Sequence, residues 1–154
     1  MKKFKSLVLA VIGLLCSISV SAHDFEVDGI YYNIKSNLLM EVEVTYKGSE
    51  CKSYSDEYSG AVSIPESVTH NGSTYWVTDI GYQAFGYCSG VTSVEIPNSV
   101  TCIWYDAFYG CSSLTSVEIP NSVTEIEGSA FCECSSLTSV EIPNSVTEIE
   151  NSAF

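Results

Sequence analysis

Residues 111–131 read CSSLTSVEIPNSVTEIEGSAF and residues 134–154 read CSSLTSVEIPNSVTEIENSAF, so that one of 21 positions differs, Gly128 against Asn151. A looser copy, CSGVTSVEIPNSVTCIWYDAF, fills residues 88–108 and matches the 111–131 copy at 15 of 21 positions, again at an offset of 23. A fixed period of this size leaves few folds open. Each unit is a supersecondary element too small to bury its own apolar face, and it becomes stable by stacking on its neighbours. The predicted fold class is mainly β: a solenoid of 23-residue units.

Within the 111–131 unit, the apolar positions are Leu114, Val117, Ile119, Val123, Ile126, Ala130 and Phe131. Side chains alternate across a strand, so Val117 and Ile119 are expected to point inward, with Ser116 and Glu118 outward. Pro120 ends that strand because it cannot donate to a ladder. A second short strand or tight turn carries Val123 and Ile126, and Ala130-Phe131 turn back, with at most a short 3₁₀ or helical turn. The phase starts earlier than the close copies. SIPESVT at 63–69 and DIGYQAF at 79–85 match the unit, separated by nine extra residues at 70–78. Asn71-Gly72 predicts that this insertion is a hairpin.

Ahead of the array, residues 1–22 carry Lys2, Lys3 and Lys5, an apolar run from Leu7 to Leu15 and the small-residue end Val20-Ser21-Ala22. This is the pattern of a secretory signal peptide cleaved after Ala22. The run is too short to span a bilayer. A lipoprotein signal using Cys16 is the alternative, against which stands Leu15 where a small residue is required. In residues 23–60, Asp28-Gly29 predicts a hairpin within 25–34, and 38–48 alternates as a half-buried strand with Leu38, Met40, Val42, Val44 and Tyr46 on one side. Residues 49–60 read as a loop. This segment is expected to be an N-terminal β-hairpin cap, with leucine-rich repeats from 61 to 154 and an incomplete last unit.

The pattern C-x-x-L-x-x-V-x-I-P-x-x-V-x-x-I-x-x-x-A-F-x-x-C resembles the BspA-like leucine-rich repeats of bacterial and protist cell surfaces, over residues 61–154. The stretch Leu-Thr-Ser-Val-Glu-Ile is the L-x-x-L-x-L signature with aliphatic substitutions. The resemblance implies a secreted or surface protein that adheres to host matrix proteins or other cells. Family members often place Gly after the last Ile; Gly81 keeps it, whereas Trp104, Glu127 and Glu150 replace it, and a differently shaped turn is expected in those units.

Charge narrows the partner. With the signal removed, Lys35, Lys47 and Lys52 stand against 19 acidic residues, a balance of about −16 (3 minus 19), and no Lys or Arg occurs from residue 61 onward. Such a surface repels phosphate, which excludes nucleic acid as a partner and disfavours anionic lipid. A basic protein face or a divalent cation is compatible. Glu95, Glu118 and Glu141 share one outward position and should form a row about 5 Å apart on the main sheet. Thr92, Thr115 and Thr138, with Ser93, Ser116 and Ser139, flank that row, and the nine residues make the candidate binding face. Glu125 with Glu148 and Glu127 with Glu150 form further rows. Asn98, Asn121 and Asn144 are read as turn residues bonded to backbone, and Cys88, Cys111 and Cys134 as stacked core residues.

No catalytic constellation emerges. His70 reads as a loop residue, His23 has no motif around it, and Cys132-Glu-Cys134 has no histidine near it to complete a zinc pattern. No cofactor or metal ligand is assigned. The expected function is therefore a secreted or cell-surface, non-enzymatic binding module for a host or neighbouring-cell protein. The alternatives are a self-associating structural repeat, stacked end to end, and a fragment of a longer surface array.

Overall fold

The computed structural model describes residues 23–48 and 57–154. The expected signal peptide with its Ala22 cleavage and Cys16, and most of the 49–60 loop with Cys51, lie outside these residues.

The chain opens on a hairpin, β1 (Phe25–Val27) and β2 (Ile30–Ser36), closed by Asp28 and Gly29 with φ of 51° and 81°. Two consecutive positive φ values make the primed turn whose twist matches a hairpin, as Asp-Gly demands. β3 (Glu41–Thr45) pairs antiparallel with β2. It is shorter than the alternation predicts, because Ser36 Oγ accepts from the Leu39 amide and Met40 takes φ 56°. That turn leaves Leu38 92% exposed, while Val42 and Val44 are fully buried as expected.

β4 (Gly60–Ser63) follows, and then the inserted hairpin forms where Asn71-Gly72 places it. β5 (Ser67–His70) and β6 (Ser73–Ile80) pair antiparallel around Asn71 and Gly72, with φ of 49° and 80°. His70 is thus a strand residue rather than a loop residue, and its ring stacks on Phe25 at 4.1 Å.

After β6 the units at 88–108 and 111–131 each contribute one strand to each of two sheets, and the unit at 134–154 contributes one strand. β7 (Val91–Glu95) and β9 (Ser116–Glu118) continue β4 in a parallel three-stranded sheet. β8 (Cys102–Ile103), β10 (Glu125–Ile126) and β11 (Glu148–Ile149) continue β6 in an eight-stranded sheet that also holds β1–β3 and β5. The glutamate row at Glu95 therefore lies on the smaller sheet, not the main one. The short dipeptide strands join the larger sheet because β3 pairs parallel with β6 and extends it through the N-terminal hairpin.

Both sheets face one core. Val94 and Val117 from the small sheet meet Ile80, Ile103 and Ile126 from the large one. Between them runs an aromatic column in which Phe85, Phe108, Phe131 and Phe154 stack at 5.0, 5.0 and 5.2 Å, with Tyr58 seated on Phe85 at 4.6 Å. Aromatic rings in offset contact contribute about 0.5–1.5 kcal/mol beyond their area. The column then passes from Tyr58 to Tyr31, tying the N-terminal strands to the array. Tyr58 also donates to the Thr45 carbonyl at 2.7 Å and accepts from the Tyr31 amide at 3.1 Å, and its burial pushes the phenol well above its ordinary range.

The turn before each phenylalanine has one shape in every unit, contrary to expectation. Gln83, Asp106, Ser129 and Ser152 all take φ between 53° and 57°. Ala84, Ala107, Ala130 and Ala153 each donate to the residue three before. What differs is the neighbour. A Cβ on Gly81 would lie 2.7 Å from the Val44 carbonyl oxygen, so the N-terminal strands demand glycine there; the Trp104, Glu127 and Glu150 amides instead donate to Ile80, Ile103 and Ile126 of the preceding unit.

Candidate functional site

The predicted face forms on β7 and β9. Ser93 pairs with Ser116 and Glu95 with Glu118, while Val94 and Val117 between them are buried. Like charges at about 5 Å in water repel by less than about 1 kcal/mol before salt screening. Each buried aliphatic on the inner side contributes roughly 2 kcal/mol, so burial outweighs the row. Ser63 extends the face upward by donating to Glu95 at 2.9 Å.

The third rung is different. Thr138, Ser139 and Glu141 are exposed but lie outside any strand, and a groove of about 570 Å³ opens between Ser139 and Glu141 on one side and Thr115, Ser116 and Glu118 on the other. The threonines are partly committed to structure, since Thr115 Oγ1 and its amide both donate to the Thr92 carbonyl at 3.0 Å. Asn98, Asn121 and Asn144 are exposed, and the turn that contains each is closed by backbone, with Val100, Val123 and Val146 amides donating to the Pro97, Pro120 and Pro143 carbonyls. Backbone closure leaves the asparagine side chains at the surface, rather than bonded to the turn as predicted.

The cysteine ladder lies in the core as read. Cys88 and Cys111 are fully buried and Cys134 nearly so. Cys111 donates to the Phe85 carbonyl and Cys134 to the Phe108 carbonyl, each at 3.1 Å. The neighbouring Cys134 thiol and burial push the Cys111 thiol far above its ordinary value.

A second cluster lies on the outward side of the large sheet; sequence reasoning expected its Glu125–Glu148 pair and missed the rest. Glu43, Asp79, Cys102, Glu125 and Glu148 occupy one row across β3, β6, β8, β10 and β11. Asp79 is 2% exposed, and its carboxylate accepts from Lys35 Nζ, from Thr78 Oγ1 at 2.6 Å and from Trp104 Nε1 at 2.9 Å. Three donors satisfy this buried side chain. Burial raises the Glu43 carboxyl, against the hydrogen bond it accepts from Asn33. Burial, with the Asp79, Glu125 and Glu127 charges, pushes the Cys102 thiol up to about 12. Below it, Tyr105 donates to Glu150, which pushes that phenol up to about 12. The available signal was departure from the repeat: Cys102 and Trp104 stand where the later copies have Glu125 and Glu127.

Comparison with known proteins places both surfaces in a family. The BspA type leucine rich repeat region matches residues 62–154 in six copies. The chain belongs to that family. Bacterial leucine-rich repeat proteins of known structure share the architecture. A leucine-rich repeat protein from Bacteroides ovatus is 35% identical with a TM-score of 0.70, over 80% of this chain and 30% of that one. One from Bacteroides capillosus is 30% identical with a TM-score of 0.67, over 82% and 87%. A leucine rich cell surface protein from Faecalibacterium prausnitzii is 30% identical with a TM-score of 0.59, over 80% and 37%. This BspA-type chain thus spans 30% of the Bacteroides ovatus protein and most of the Bacteroides capillosus one. No curated protein matches it. Among the described residues, no helix is long and apolar enough to cross a membrane.

Proposed function

We propose that this chain is an exported, non-catalytic recognition module. In this reading it is a solenoid of 23-residue units, with residues 23–60 covering one end and the array from 61 onward presenting Ser93, Ser116, Glu95 and Glu118 to a partner. The observation that carries it is the parallel register of β7 and β9, which sets those serines and glutamates in rows on a segment with no lysine or arginine. Rows of uncompensated carboxylate steer and orient a basic protein surface. The similarity to a cell surface protein of Faecalibacterium prausnitzii supports a partner on a host or neighbouring cell, as does the signal-like start at residues 1–22.

The test is capture of a panel of immobilised basic extracellular-matrix proteins by the purified chain and by the Glu95→Gln/Glu118→Gln/Glu141→Gln variant. Salt-sensitive capture by the native chain and its loss in the variant are expected. Equal capture by both excludes the face. A second reading, that the face acts as part of a longer array, is favoured by the 30% and 37% spans of two relatives. It predicts stronger capture as further units are added.

A further inference from the structure

Asp79 is fully engaged, but the thiol beside it is not. Cys102 is 7% exposed on the outward side of β8, while its neighbour Ile103 fills the core. No hydrogen bond reaches its Sγ among the described residues. One carboxylate oxygen each from Glu125 and Glu127 lies with that sulfur in a group whose donor atoms are all within 4.8 Å of one another. Glu125 is the register partner of Cys102 on β10, and Glu127 follows two residues on, donating its amide to the Ile103 carbonyl at 2.9 Å. The backbone therefore fixes all three donors from two successive units.

We propose that Cys102, Glu125 and Glu127 form a binding site for a zinc-type divalent cation that bridges the two units. One thiolate sulfur with two carboxylate oxygens suits a borderline ion such as Zn²⁺, whereas Ca²⁺ and Mg²⁺ require oxygen sets. Three protein donors leave a fourth tetrahedral position for water. The neighbouring row supports the choice of rung. Asp79 is held by Lys35, Thr78 and Trp104 and is not offered to an ion, and in the next unit the counterpart of Cys102 is Glu125, which has no sulfur to give. Binding displaces the Cys102 proton to solvent and neutralises the carboxylate pair.

The test uses the purified chain, kept reduced, titrated separately with Zn²⁺ by calorimetry and with Co²⁺ by absorption. Expected are one ion per chain and a thiolate-to-cobalt charge-transfer band. Cys102→Ser removes the band and weakens Zn²⁺ by more than about 10-fold, and Glu125→Gln and Glu127→Gln each weaken it in the same direction. Cys132→Ser and Glu148→Gln leave it unchanged. A band that persists in Cys102→Ser, or no binding by the native chain, overturns the site. Should Cys102→Ser fail to fold, Glu127→Gln decides: unchanged affinity in that variant overturns it equally.

Discussion

The two outward surfaces of the array are built from the same repeat yet carry different chemistry. On the small sheet, Ser93 meets Ser116 and Glu95 meets Glu118, so identity between copies becomes rows of identical groups. On the large sheet, Asp79, Cys102 and Glu125 succeed one another in the same register, and a tryptophan and a lysine close over the first of them. A repeat that copies itself makes a uniform surface suited to long-range charge. A repeat that departs from its copy makes a local, partly buried cluster. The backbone is common to both, so the contrast lives in side chains alone.

The largest effect should fall on both surfaces at once. Phe108→Ala opens the aromatic column between Phe85 and Phe131 and is expected to cost about 4 kcal/mol in denaturant unfolding. Selective loss of one sheet by circular dichroism, with the other retained, breaks the idea of a shared core.

The next separates the surfaces. Asp79→Ala strands Lys35, Thr78 and Trp104 around a buried gap and should destabilise by about 3 kcal/mol, with a shift in Trp104 fluorescence. Glu118→Gln on the other side should change stability by less than about 0.5 kcal/mol. Comparable losses contradict the distinction between a cluster and a solvated row.

Glycine sharpens the same contrast within the large sheet. Gly81→Ala drives a Cβ to 2.7 Å from backbone and is expected to cost about 2 kcal/mol. Gly128→Ala meets the Tyr105 ring, which can swing outward, and should cost less than about 1 kcal/mol. Thermal unfolding of the two variants side by side reads the difference.

The smallest effect is a pH dependence at the N-terminal end. Burial raises Glu57 from 4.5 to about 7, against the hydrogen bond it accepts from the Lys47 amide. A raised carboxyl favours the protonated folded form, so this contribution is fully present below pH 4.5 and is lost as pH rises through about 7. Screened by solvent, it amounts to about 1 kcal/mol. Glu57→Gln should flatten the stability profile over that window, and an unchanged slope removes Glu57 as its source.

Much of the scaffold was legible before any coordinates. The inward Val117 and Ile119, the stop at Pro120 and the turns at Asp28-Gly29 and Asn71-Gly72 are local signals, each set by a few neighbouring residues. The illegible parts depend on distant partners. Lys35 and Asp79 are 44 residues apart, and Trp104 is 25 from Asp79, so no window of sequence contains the cluster. The larger sheet was misplaced for a related reason. Its dipeptide strands carry almost no alternation of their own and are recruited by β3 and β6. The run at 38–40 alternates like a strand, but the Ser36 side chain and a left-handed Met40 turn it outward.

The central claim is that partner recognition belongs to the small-sheet face rather than to net charge. The direct test compares Glu95→Gln/Glu118→Gln/Glu141→Gln with Glu125→Gln/Glu127→Gln/Glu148→Gln, each removing the same charge from a different face of the array, in binding to one basic extracellular protein with chelator present. Loss of binding in the first variant alone is the predicted result. Equal loss in both, or loss in the second alone, contradicts it.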